Sequence, residues 1–177
     1  MKQKAIFLDR DGCLIVDRIY LNDVTQIEYL PGVFTALRLL RDAGYIFMIA
    51  TNQSGVARGI VDIHNLYQIH ARIKADFARE GVDLLEFYYA PYMTDTNHPV
   101  RKPNPGMLLR GAFDYNVDLH KSWMVGDRMT DVECGHRAGC RAALMGTTET
   151  PRGSSFAPPE IHGLGLLNVA EQIISAT

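Results

Sequence analysis

Short apolar runs rich in β-branched and aromatic residues alternate along this chain with longer runs of helical spacing. That alternation most restricts the folds open to it. The short runs, 5–8, 45–50, 86–90, 122–125 and 141–145, read as strands. The longer ones, 33–43, 63–80, 106–115, 130–138 and 169–176, read as helices. In the second helix Leu66, Ile69, Ile73 and Phe77 form one stripe, and Gly81 is placed to stop it. Pro31 and Gly32 open the first helix, Gly44 closes it, and Asn168 is the expected N-cap of the last. Strands alternating with helices imply right-handed βαβ units: an α/β fold with a mainly parallel sheet covered on both faces. Ligands of such sheets bind beyond the carboxyl ends of the strands. Asp9 and Asp11 follow the first strand, Thr51 and Asn52 the second, Arg101 and Lys102 the third, and Asp127 the fourth.

The stretches 13–30, 91–105 and 147–165 are less regular, and the last, rich in Gly, Pro, Ser and Thr, reads as a surface loop. None is long enough for a second domain, so residues 1–177 are expected to form one. Eighteen basic against twenty acidic residues leave a net charge of -2, with no global field to draw nucleic acid or an anionic membrane. Cys13, Cys134 and Cys140 are too few and too scattered for a disulfide framework or a CxxC zinc site, which fits a reducing compartment. No stretch reaches the ~18 apolar residues of a membrane span. The expectation is a cytoplasmic protein, and a monomer, since no leftover amphipathic helix asks for a partner.

Four polar elements carry the chemistry. Asp9-Arg10-Asp11-Gly12 sends two carboxylates out of a buried strand. At 4 Å such anions repel by ~4 kcal/mol at an effective dielectric near 20, which calls for a cation or a retained proton. Asp127 follows the small Gly126, and Asp131, four residues on, starts a helix whose N-terminus favours an acid in any case. Carboxylates without matching His or Cys suit Mg²⁺ rather than Zn²⁺. Thr51-Asn52-Gln53-Ser54-Gly55 reads either as an anion cradle or as an ordinary strand-to-loop turn. Lys102, held between stiff segments in Arg101-Lys102-Pro103-Asn104-Pro105-Gly106, offers a fixed cation. A cation site, a hydroxyl, a lysine and two carboxylates together describe phosphoryl transfer. The P-loop of a nucleotide kinase is missing.

In this order, Phe7-Leu8-Asp9-Arg10-Asp11-Gly12, Thr51-Asn52-Gln53, Arg101-Lys102-Pro103 and Val125-Gly126-Asp127 through Asp131 resemble the four motifs of haloacid dehalogenase (HAD)-like phosphatases. The DRDG start, the TNQSG turn, RKPxPGM and the short chain are most similar to the group of D-glycero-D-manno-heptose 1,7-bisphosphate 7-phosphatases and histidinol-phosphatases. The resemblance implies a three-layer, Rossmann-like (HAD-like) fold with no large cap domain. It implies a Mg²⁺-dependent phosphomonoesterase in which Asp9 attacks phosphorus and Asp11 is general acid and base. Asp9, the backbone carbonyl of Asp11 and Asp127 are the implied metal ligands. Thr51 and Lys102 are implied to bind the transferred phosphoryl, with Asn52 assisting, and Asp131 to support Lys102 or the metal's surroundings. Asp17, Tyr20, Arg101 and Arg128 fall on the substrate side; an arginine's planar fork suits a second phosphate or several hydroxyls.

One departure bears on the substrate. Group members commonly carry a zinc loop before the RKP segment, with Cys-x-His and Cys-x-Cys ends. Here those positions read Ala90-Pro91-Tyr92 and His98-Pro99-Val100, so structural Zn²⁺ is not expected and His98 is a surface or substrate-side residue. The expected substrate is a small phosphorylated metabolite, with heptose bisphosphate ahead of histidinol phosphate. A DNA 3′-phosphatase is disfavoured by the acidic balance and the lack of an aromatic-basic groove. A silent binding module is disfavoured because Asp9, Asp11, Lys102 and Asp127 are all present.

Overall fold

A computed structural model describes residues 2–146 and 155–176. Six strands form one parallel sheet in the order β3-β2-β1-β4-β5-β6. They are β1 (Lys4–Leu8), β2 (Tyr45–Asn52), β3 (Leu84–Ala90), β4 (Trp123–Gly126), β5 (Arg141–Met145) and β6 (Ile161–Gly163). The helices are α1 (Val33–Asp42), α2 (Ser54–Ala57), α3 (Ile63–Arg79), α4 (Gly106–Asp114), α5 (Met129–Ala138) and α6 (Leu166–Ser175).

The period-2 alternation of each strand divides the core into two layers. Ile6 and Leu8 of β1, with Phe47 and Ile49 of β2, pack with α1, α3 and α6 through Leu37, Ile73, Phe77 and Ile173. Ala5 and Phe7, with Met48 and Ala50, face α4 and α5 through Met107, Leu108 and Cys134. Both faces of the central strands are therefore buried, as continuous apolar runs require. Asp62 starts α3 by accepting from the His64 N–H at 2.7 Å, and Gly81, at φ +74°, ends it in a conformation other residues resist.

The sequence reading needs correction at two places near the C-terminus. Asn168 is not the N-cap of α6: the cap is Gly165, and the helix begins at Leu166, whose side chain is buried. Asn168 lies inside the helix and accepts from the Gln172 side chain. The stretch expected as a loop over 147–165 contains β6, which extends the sheet beside β5; residues 147–154 of that expectation lie outside the described residues. Among the described residues, no helix is long and apolar enough to cross a membrane.

Candidate active site

Parallel strands bring β1, β2 and β4 to one rim, and each delivers polar residues at its carboxyl end. The peptide of Asp9 continues the ladder, its N–H donating to the Val125 carbonyl at 2.9 Å. Two glycines let the carboxylates crowd together. Gly12, at φ +75°, lies where a Cβ would overlap the Asp127 carboxylate, and a Cβ on Gly126 would overlap that of Asp131. Carboxylate oxygens of Asp9, Asp127 and Asp131 consequently lie within 4.8 Å of one another.

Lys102 bridges this group. Its buried Nζ is 2.6 Å from Asp131 Oδ1 and 2.9 Å from Asp9 Oδ1. Burial alone would favour the neutral amine, but Asp131 and Asp9 outweigh it and hold the Lys102 pKa above its ordinary value. Burial raises the pKa of Asp131 against the pull of Lys102. Asp127 is pushed up to about 6, first by burial and then by Asp9 and Asp131. Lys102 bridges only two of the three carboxylates, and the third, Asp127, has Arg128 Nε no nearer than 4.0 Å and an Oδ1 buried without a hydrogen-bond partner, so the cluster keeps an excess of negative charge. A hard divalent cation fits this all-oxygen set. Among the described residues, no other cluster of His, Cys, Asp or Glu has a metal-binding arrangement, and all three cysteines are buried as free thiols.

Thr51, buried at the end of β2, accepts from Gln53 Nε2 at 2.8 Å, which leaves its hydroxyl hydrogen to be offered to a ligand. The Asn52 side chain lines the cleft and is held by the Lys102 peptide. Its Nδ2 donates to the Lys102 carbonyl at 3.1 Å and its Oδ1 accepts the Lys102 N–H at 3.0 Å. Asn52 thus fixes the peptide that carries the lysine. Asp131 Oδ2 in turn accepts the Arg128 N–H at 3.0 Å, closing the first turn of α5.

Asp11 turns to the other side. Arg10, only 1% exposed, grips its carboxylate through Nε and Nη2 at 2.8–3.2 Å, and Gln53 Nε2 donates to Asp11 Oδ2 at 2.9 Å. Burial raises the Asp11 pKa and Arg10 opposes it.

Asp9, Asp11, Asp17, Tyr20, Thr51, Asn52, Arg101, Lys102, Arg128 and Asp131 all line one cleft of about 600 Å³, with Asp127 just behind it. Asp17 accepts the Ile19 N–H at 2.7 Å and pairs with Arg128 at 2.9 Å. Arg101 donates to the Tyr92 carbonyl and to Thr94 Oγ1 while facing Arg58, and burial followed by that second cation lowers its pKa. His98 is turned into its own loop: its ring stacks on Tyr92 at 3.6 Å, and Nδ1 accepts the Val100 N–H at 3.4 Å. Asn104 Nδ2 ties the same loop together, donating to Asn97 and to the His98 carbonyl.

Sequence reasoning missed Arg10, Gln53, Arg58 and His70. His70 had a signal, since it falls on the Leu66–Ile73 stripe of α3 and must face inward with it. A buried arginine between two aspartates had none in composition or periodicity.

A family profile described as HAD-hydrolase-like matches residues 99–162. The chain is 37% identical over 155 residues to the D-glycero-beta-D-manno-heptose-1,7-bisphosphate 7-phosphatase of Pasteurella multocida, covering 84% of each chain. It is 31% identical to the D-glycero-alpha-D-manno-heptose-1,7-bisphosphate 7-phosphatase of Campylobacter jejuni, covering 88% of this chain and 90% of the other. The crystal structure of D,D-heptose 1,7-bisphosphate phosphatase from B. bronchiseptica, complexed with magnesium and phosphate, superposes with a TM-score of 0.86 at 32% identity, covering 98% and 99% of the two chains.

Proposed function

The chain belongs to the HAD-like phosphatases, and from that premise we propose that it hydrolyses the 7-phosphate of a D-glycero-D-manno-heptose 1,7-bisphosphate. The observation that carries this reading is the Lys102 bridge, a buried ammonium tying Asp9 to Asp131 beside the Asp127 carboxylate. An oxygen of Asp9 lies beside that cation at the mouth of the cleft. It is the nucleophile: it forms a bond to phosphorus as the bond to the sugar oxygen breaks, and Asp11 gives its proton to that oxygen. In the second half, Asp11 takes a proton from water, whose oxygen displaces phosphate from Asp9. Lys102 and Thr51 hold the phosphoryl oxygens throughout, and Asp131 and Asn52 hold Lys102. Asp9, the Asp11 carbonyl and Asp127 would hold Mg²⁺, which when bound would supply positive charge against those oxygens. Arg101 and Arg128, joined by Arg58, face the distal phosphate, and Asp17 and Tyr20 face the sugar. Asp17 also steadies Arg128.

Residues 1–177 act as one domain, a cytoplasmic monomer in this reading, on a small metabolite rather than nucleic acid. No structural zinc is needed, because the loop before Lys102 is tied by the Tyr92–His98 stack and the Asn104 amide. The test is phosphate release from both heptose bisphosphate anomers, histidinol phosphate and a 3′-phosphorylated duplex. Mg²⁺-dependent turnover of a heptose bisphosphate is expected, with loss of turnover in Asp9→Asn. Preference for histidinol phosphate, or full activity of that variant, overturns the reading. A zinc-selective chelator with Mg²⁺ replenished should leave the rate unchanged.

A further inference from the structure

Behind the cleft lies a buried polar chain that the proposed chemistry does not use directly. Arg10 Nη1 is 3.2 Å from His70 Nε2, while its Nε and Nη2 grip Asp11. A guanidinium has only donors, so His70 Nε2 must accept, which places the imidazole proton on Nδ1. The neutral ring is favoured, since burial and then Arg10 lower the His70 pKa to about 3. Its plane is set by packing, stacked on Phe87 at 4.7 Å and edge-on to Tyr89 at 6.1 Å. The ring thus presents one lone pair at a fixed place on α3. Without it, Arg10 Nη1 loses its acceptor at 1% exposure and the fork can swivel about its own side chain.

We propose that His70 is a positioning residue for the proton donor: through its acceptor nitrogen it aims the Arg10 guanidinium, and Arg10 in turn aims the carboxyl of Asp11 at the leaving oxygen. This rests on the phosphatase reading above. It assigns a working role to a histidine that touches neither the cleft's ligand nor the carboxylate cluster. It also explains why an arginine occupies a buried position between the two aspartates: a planar fork can hold one carboxylate edge-on while its remaining nitrogen is anchored.

The test separates proton donation from general damage by changing the leaving group. A sugar alkoxide needs a proton as it departs, whereas p-nitrophenolate leaves as a stable anion. His70→Phe keeps the stack on Phe87 and removes the acceptor; His70→Gln restores an acceptor oxygen. For His70→Phe, kcat/KM on heptose 1,7-bisphosphate, which reports the steps up to departure of the sugar, should fall about tenfold, a fraction of the ~10²–10⁴ typical of a general acid. kcat/KM on p-nitrophenyl phosphate, which leaves out the hydrolysis of the aspartyl-phosphate shared by both substrates, should stay within about twofold, and His70→Gln should recover most of the sugar-phosphate value. The ratio of the two kcat/KM values does not depend on how much variant is folded. His70→Leu gives the same readout if the phenylalanine variant aggregates. Equal losses on both substrates, or no loss on either, overturn the proposal while leaving the phosphatase reading intact. Wild-type protein that releases phosphate from neither substrate overturns the phosphatase reading first.

Discussion

At the scale of single residues, the site is a charge problem. Asp127 is the least compensated member of the acidic group: its pKa stands near 6 in the fold and near 3.8 in a free chain, and Lys102 reaches Asp9 and Asp131 instead. Between those values the folded protein binds more protons than the unfolded one, so this group's contribution to stability falls as pH rises from about 4 to 7. The ionised form at pH 7 costs at most about 3 kcal/mol. Metal-free Asp127→Asn should therefore be more stable than wild type at pH 7, with the gain vanishing near pH 4. Urea unfolding at the two pH values checks this. Saturating Mg²⁺ should reverse the order at pH 7, because only the wild type keeps the ligand. Asp9, Thr51, Lys102 and Asp127 were legible in the sequence because motif chemistry writes itself as residue type at a strand's end. Arg10 was not legible, and His70 only as an inward-facing position of α3, because their meaning is a contact across 60 positions that no local pattern encodes.

At the scale of elements, strands and helices near the site follow apolar period closely, and the differences lie where the signal is short. β6 has three residues and α2 four, too few for either period to emerge from a Gly- and Pro-rich background. α6 starts at Leu166, which is buried in the core, rather than after Asn168 despite the better capping chemistry of that residue. The pairing of α1 with α6 lies in the core layer away from α4 and α5. A defect there should change stability without changing chemistry. Leu37→Ala, at a fully buried position on α1, should lower unfolding free energy by about 2–5 kcal/mol while leaving kcat within about twofold. Denaturant melts paired with turnover at low temperature measure both. The loop before Lys102 behaves oppositely, for it adds little to the core but sets the lysine. Asn52→Ala removes both hydrogen bonds to the Lys102 peptide and should weaken inorganic phosphate binding by about 1–2 kcal/mol, read by calorimetry, with a smaller effect on melting.

At the scale of the whole molecule, the decisive feature is the cleft's openness: the described chain has one sheet and its flanking helices, and short loops make the rim. With no lid domain among the described residues, selectivity is expected to come from fixed charges at the rim. The net charge of -2 disfavours a bisphosphate at long range, so Arg58, Arg101 and Arg128 must overcome it locally. Arg101 is the best anchored of these, tied to Tyr92 and Thr94, and Arg58 beside it concentrates positive charge on one wall. A phosphate seated there would relieve the repulsion between the two guanidiniums, while a monophosphate bound only at Lys102 would not reach it. Arg101→Ala should accordingly raise KM for a heptose bisphosphate by about tenfold or more, the size of one charge-assisted hydrogen bond, and leave KM for a sugar monophosphate nearly unchanged. The gap between the two substrates should narrow as salt rises, since the cleft is open to screening ions. Initial rates on both substrates at two ionic strengths decide the matter. An equal rise in both KM values would show that Arg101 shapes the loop carrying Lys102 rather than meeting the second phosphate.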